Sequence, residues 1–111
     1  MYITKEMSNR INSFLKSHAK RCAYCGRVFS FGEGKTIDHI SPQSKNLDES
    51  GKNKVVTCQQ CNSRKSNISL KDFKSTINKN VMLSYLEDFG SLQLPTGEFY
   101  ALAIKKRFGL K

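Results

Sequence analysis

The sequence predicts an α+β fold in one domain: a short β-rich core stapled between two cysteine pairs, with helices wrapped around it at both ends. Three observations lead there. The chain has 111 residues, a length that suits one domain. Its four cysteines fall as two C-x2-C pairs, Cys22/Cys25 and Cys58/Cys61, with 32 residues between the pairs. The β-branched segments lie between those pairs, and the segments with helical periodicity lie outside them.

Taken in order, residues 4–17 read as an amphipathic helix, with Met7, Ile11, Phe14 and Leu15 at helical spacing. Lys5, Arg10 and Lys16 mark its polar face, and His18 reads as an ordinary residue. Residues 27–31 predict a short strand, broken by Gly32-Glu33-Gly34. Residues 36–40 predict a second strand, ended by Pro42, and residues 43–52 a polar loop. Residues 53–57 predict a third strand that delivers the chain to Cys58. From residue 59 to 67 a helix is expected, carrying Asn62, Arg64 and Lys65, of which Asn62 and Lys65 share a face. Ser69 opens a short helix with Phe73 and Ile77 inward, and residues 80–89 form another, ended by Gly90. Pro95-Thr96-Gly97 precedes a last helix over residues 98–108, with Gly109 as its stop. Lys105, Lys106 and Arg107 near that end favour the helix dipole. Phe89, Phe99 and Tyr100 are expected in the core.

Composition narrows the function. Nineteen Lys+Arg against nine Asp+Glu give a net charge of +10. Residues 1–67 hold +7 of it and residues 68–111 the remaining +3. So much positive charge on a short chain favours a polyanion as partner, nucleic acid above all. Only 38% of residues are apolar and Trp is absent, so the core is small and a staple is expected. No run approaches the roughly 18–20 apolar residues of a membrane span. Residues 1–10 lack the apolar block of a secretory signal, and a cytoplasmic location is expected.

That location argues against a disulfide framework, because the cytosol keeps thiols reduced. Two C-x2-C pairs suit tetrahedral zinc, since each places two thiolates on a tight turn and two turns close a four-sulfur shell. Gly26 after the second cysteine lets the backbone turn back. Redox-active cysteines are the rival reading. A closed four-Cys shell has no open position for substrate, so Cys22, Cys25, Cys58 and Cys61 predict a structural zinc. A plain zinc ribbon separates its pairs by about 15–20 residues; here the insert is longer and holds the unusual chemistry.

Asp38 and His39 are adjacent in a strand otherwise rich in apolar residues. An Asp that caps the next turn beside a His packed for burial would account for an isolated pair. This pair is not isolated: it lies inside the cysteine-bounded insert, and Asn53 and Asn62 follow His39 at intervals of 14 and 23 residues. The run Asp38-His39-Ile40-Ser41-Pro42-Gln43-Ser44, followed by the stretch from Asn53 through Cys58, Cys61 and Asn62 to Asn67, resembles the HNH endonuclease family with its ββα-metal core. It looks like the zinc-bound, four-Cys branch, and is similar also to the HNH domain of RNA-guided CRISPR nucleases. The resemblance covers about residues 20–68.

What the resemblance implies is specific. His39 would be the general base that deprotonates the attacking water, and Asp38 the metal-binding acid beside it. Asn53 would support the hairpin and orient the base. Asn62 stands where the literal motif has its final His, and with Asp38 it would hold one divalent ion. DNA hydrolysis by the family leaves a 5′-phosphate and a 3′-hydroxyl.

Elementary chemistry agrees. Phosphodiester hydrolysis needs a base for water and an electrophile for the departing oxygen. Histidine titrates near neutrality, and a carboxylate with an amide oxygen suits Mg²⁺ or Mn²⁺. Strand neighbours point to opposite faces, so Asp38 and His39 converge only at a strand end or bend, which Ile40-Ser41-Pro42 offers. Arg64, Lys65 and Lys54 are the expected nucleic-acid contacts. A helix cap is the plain alternative for Asn62, and a non-catalytic, zinc-stapled nucleic-acid-binding module is the rival for the whole. Because one such site cuts one strand, cutting both would require a homodimer, sequential nicks or a partner protein.

Overall fold

Thr4 begins the first helix: its Oγ1 accepts the Met7 N–H at 3.1 Å, the usual way a side chain satisfies one of the open N–H groups there. In the computed structural model, residues 3–40, 49–65, 68, 70–90 and 95–110 are described. Helix α1 spans Lys5–His18. Leu15 is fully buried, with Ile11 and Phe14 packed against the core beside it. Met7, expected inward, is 38% exposed, and the polar Ser8 is buried in its place. The reason lies in the site described below, where Ser8 finds charged partners.

The expected strand at residues 27–31 does not form; a single bridge joins Arg21 and Val28. The backbone is committed to the cysteine turn instead. Cys22 N–H donates to Arg27 O at 2.8 Å, Gly26 N–H to Cys22 O at 3.0 Å, and Phe29 N–H to Lys20 O at 3.0 Å. Gly26 sits at φ +76°, where a β-carbon is strained. A second turn follows, closed by Glu33 N–H on Ser30 O at 3.0 Å and by a 2.7 Å ion pair of Arg27 with Glu33.

Strands β1 (Lys35–His39) and β2 (Lys54–Cys58) pair antiparallel, from Lys35 opposite Cys58 to His39 opposite Lys54. A 3-10 turn, Gly51–Asn53, leads into β2, and α2 (Gln59–Lys65) leaves it directly. These two strands and helix form a ββα unit. Of the loop expected at residues 43–52, residues 43–48 lie outside the described residues, as do Pro42, Ser69 and the end of the expected helix at residues 66–67; the loop's end forms the 3-10 turn.

Every residue of β2 is buried, although it is the edge of a two-stranded sheet. An open edge carries backbone groups that need partners. Ala23 N–H donates to Val56 O at 3.0 Å, docking the first cysteine turn on the strand. Two tyrosines supply further partners. Val56 N–H donates to Tyr85 Oη at 3.0 Å, Tyr85 and Tyr100 hydroxyls meet at 2.7 Å, and Tyr100 donates to Lys54 O at 3.0 Å. Burial pushes both phenols above their usual value, so they stay protonated donors.

Those tyrosines come from α4 (Lys79–Gly90) and α5 (Pro95–Phe108). Met82, Tyr85, Leu86 and Phe89 form the buried stripe of α4 at the spacing of one helical face. Tyr100, Ile104 and Phe108 do the same on α5, whereas Phe99, expected in the core, is 70% exposed. Helix α5 starts at Pro95 rather than residue 98, because proline is tolerated in a first turn, where its missing N–H would have no partner. Its other end matches expectation: Gly109 has φ +67°, and Leu110 N–H returns to Lys105 O at 2.7 Å, closing a Schellman motif. Helix α3 (Leu70–Lys74) is a single short turn segment before α4. No helix among the described residues is long and apolar enough to cross a membrane.

Candidate functional site

The four thiols converge. Cys22 and Cys25 arrive on the first turn, Cys58 ends β2 and Cys61 lies in the first turn of α2. Their Sγ atoms all lie within 4.8 Å of one another, with Cys25 and Cys58 at 3.9 Å. Zn–S bonds of about 2.3 Å in a tetrahedron put sulfurs roughly 3.8 Å apart, so the set fits such an ion. Burial and the neighbouring Cys58 and Cys22 push the Cys61 thiol up. At Cys58 burial also pushes up, but the Cys61 backbone N–H and the surrounding thiols outweigh it and pull the group down. Thiolates this close repel, and a dication resolves the conflict.

This cluster locks the first cysteine turn to the β2–α2 junction, and so sets the surroundings of Asp38. Tyr24, between the two cysteines of that turn, donates its hydroxyl to Asp38 Oδ2 at 2.5 Å. Burial and the Asp38 charge push the phenol well above its usual value, which keeps the proton on tyrosine. From α2, Lys65 Nζ lies 3.2 Å from Asp38 Oδ2 and donates to His39 O at 2.7 Å. Burial pushes the Asp38 carboxyl above its ordinary value, against the downward pull of Tyr24, Lys65 and His39.

His39 closes β1 and takes a different partner. Its Nε2 lies 2.9 Å from Glu49 Oε1. Glu49 Oε2 accepts from Ser8 Oγ at 2.7 Å and pairs with Lys54 Nζ at 3.1 Å. The same ammonium donates to Ser8 Oγ at 2.8 Å and Asn12 Oδ1 at 2.9 Å, which uses all three of its protons. Burial pushes the Glu49 carboxyl up, but hydrogen bonds from Ser8 and Lys54 and the charges of His39 and Lys54 outweigh it, holding it at about 2. Glu49 is therefore an anion at neutral pH.

Two of the three expected nucleic-acid contacts need correction. Lys54 and Lys65 are fully buried, because each ammonium meets internal acceptors, and neither reaches the surface. Arg64 is exposed. Asn53 is buried, and its backbone ties the hairpin: Ile40 N–H donates to Asn53 O at 2.8 Å, and Asn53 N–H to Ser50 O at 3.0 Å. Asn62 is half-buried on α2, three residues before Lys65 and so on the helix face that Lys65 turns toward Asp38.

Tyr24, Glu49, Ser8 and Asn12 were not singled out from the sequence. Glu49 sits in the polar stretch before Asn53 and reads there as loop; the apolar pattern of α1 hides Ser8. A divalent ion beside Asp38 would find hard oxygen donors in the carboxylate and the Asn62 amide. A carboxylate has about four lone-pair positions, so Tyr24 and Lys65 leave acceptor capacity, and the donor chemistry fits Mg²⁺ or Mn²⁺.

Among protein families, residues 22–67 match the one described as HNH endonuclease. No curated protein matches the chain. Among solved structures, the chain is similar to the crystal structure of the Type II-C Cas9 enzyme from Actinomyces naeslundii, with a TM-score of 0.59 at 20% identity. That likeness covers 97% of this chain and 12% of the other, and at such identity it is a likeness of fold.

Proposed function

We propose that the protein, whose residues 22–67 match the HNH endonuclease family, is a metal-dependent nuclease that hydrolyses DNA phosphodiester bonds. The observation that supports this reading best is the end of β1, where an imidazole gripped by a carboxylate adjoins a buried acid facing α2. A divalent ion held by Asp38 and Asn62 would supply positive charge to the phosphate and the departing oxygen. His39 takes the proton from the attacking water as its oxygen bonds to phosphorus. The P–O3′ bond breaks, solvent protonates the 3′-oxygen, and the products are a 5′-phosphate and a 3′-hydroxyl. Arg64, exposed at the end of α2, contacts phosphate. Cys22, Cys25, Cys58 and Cys61 would hold a structural zinc, which would tie the Tyr24 turn and α2 in place around Asp38.

Incubating the zinc-loaded protein with supercoiled plasmid and Mg²⁺ or Mn²⁺, then labelling the product ends, tests this. Nicked or linear DNA with 5′-phosphate ends, suppressed by mild chelation that leaves the zinc bound, is expected. Tight binding with no cleavage under any divalent ion would instead identify a non-catalytic nucleic-acid-binding module.

A further inference from the structure

We propose that Glu49 is a positioning residue for His39, and that α1 belongs to the frame that holds the base. The inference rests on the nuclease reading above for its consequence, but its geometry stands by itself. Both Glu49 oxygens are committed: Oε1 to His39 Nε2 at 2.9 Å, Oε2 to Ser8 and Lys54 at 2.7 and 3.1 Å. Two oxygens held from different directions fix the plane of the carboxylate and, through it, the rotation of the imidazole.

The frame closes on itself. Lys54, which anchors Glu49, is the residue opposite His39 in the strand pair. Its ammonium also holds Ser8 and Asn12, four residues apart and so on one face of α1. Both lie outside the matched segment at residues 22–67, so the first helix contributes to a site whose reacting groups all lie beyond it.

A defined chemical state follows. An ionised carboxylate only accepts hydrogen bonds, so the neutral ring must carry its proton on Nε2. The Nδ1 lone pair is then the one left to take a proton from water. Once it has done so, the imidazolium faces an anion already in place, and no reorganisation is needed. A purely structural Glu49, present only to neutralise buried Lys54, would require neither a fixed tautomer nor an effect on turnover.

The test uses the full zinc-loaded chain labelled with ¹⁵N-histidine, with His18→Gln to assign the two ring systems. At alkaline pH, wild-type His39 is expected as the Nε2–H tautomer, and Glu49→Ala as a mixture. On supercoiled plasmid with Mg²⁺, Glu49→Ala should lower kcat on the order of 10- to 100-fold, as loss of an orienting partner commonly does, with KM within about twofold. Glu49→Gln keeps an acceptor oxygen and should restore the tautomer and part of kcat. Ser8→Ala, a gentler change should Glu49→Ala fail to fold, should shift both in the same direction by less. An Nδ1–H tautomer in the wild type, or a Glu49→Ala protein with unchanged tautomer and kcat, overturns the proposal. A wild type that cuts nothing would defeat the nuclease reading alone, because the tautomer spectra still decide the positioning.

Discussion

Single carboxylates at this site are governed by different neighbours, and each makes its own prediction. Glu49 is held at about 2, against an ordinary 4.5, so the folded state binds its proton less readily than the unfolded chain. The resulting stability is fully present above about pH 4.5 and is lost as pH falls through about 2. With its side chain 26% exposed, the contribution is about 1–3 kcal/mol after screening. Denaturant titrations of wild type and Glu49→Gln should therefore show a stability gap that closes between those two pH values; a gap independent of pH would mean the carboxylate is not the anion described. Asp38 is the opposite case, since burial raises its pKa and Lys65 is the cation that offsets its burial. Removing one partner of a buried pair commonly costs ~3–5 kcal/mol. Lys65→Met should lose on that order in chemical denaturation, and Asp38→Asn combined with it should recover part of the loss. The positions of Asp38 and His39 at the end of a strand were legible in the sequence because an acid and an imidazole stand out among β-branched neighbours. Buried Lys54 and Lys65 were not, since lysine defaults to the surface and only the folded partners reveal otherwise.

At the scale of elements, the hairpin and the helix after it are read from spacing, while what surrounds them is not. The cysteine pairs bracket β1 and β2 and reach into the first turn of α2, the two turns at fixed positions that ligation of a zinc would demand. The absent strand at residues 27–31 shows the same constraint from the other side: its apolar alternation has no partner once the turn has claimed the backbone of Cys22, Arg27 and Phe29. Likewise nothing in the sequence says that Tyr85 and Tyr100, fifteen residues apart, serve as a substitute for a third strand. Their joint role gives an element-level prediction. Tyr100→Phe leaves Lys54 O without its donor and the Tyr85 O–H without its acceptor, and should cost about 1–3 kcal/mol, read as a lowered denaturant midpoint with unchanged slope. Cys58→Ser should release the zinc and unfold or strongly destabilise the chain, because structural metal binding is folding free energy. A folded, zinc-free Cys58→Ser protein in metal analysis and circular dichroism would contradict the staple.

For the whole molecule, a net charge of +10 would make the proposed association with DNA an electrostatic process. With Lys54 and Lys65 occupied internally, phosphate contacts would fall to exposed cations such as Arg64. Affinity should drop steeply with salt at nearly one condensed ion per phosphate contact, and depend little on sequence; Arg64→Ala should reduce the salt slope by about one. The charge balance, the clustering of the four cysteines and the β1–β2 hairpin were open to reading from the chain itself, because each is written in residue counts or short spacings. The joining of α1 to the base through Ser8, Lys54 and Glu49 was not, as it links segments more than forty residues apart by polar groups that carry no periodicity. The central claim is that His39 activates water in a metal-dependent cut. Its most direct test is the rate of plasmid nicking by His39→Ala beside wild type in Mg²⁺, with zinc content and DNA affinity measured on the same preparations. Nicking by the wild type and none detectable by the variant, at equal zinc and equal affinity, is expected if His39 is the base. Equal nicking rates in the two proteins would contradict it.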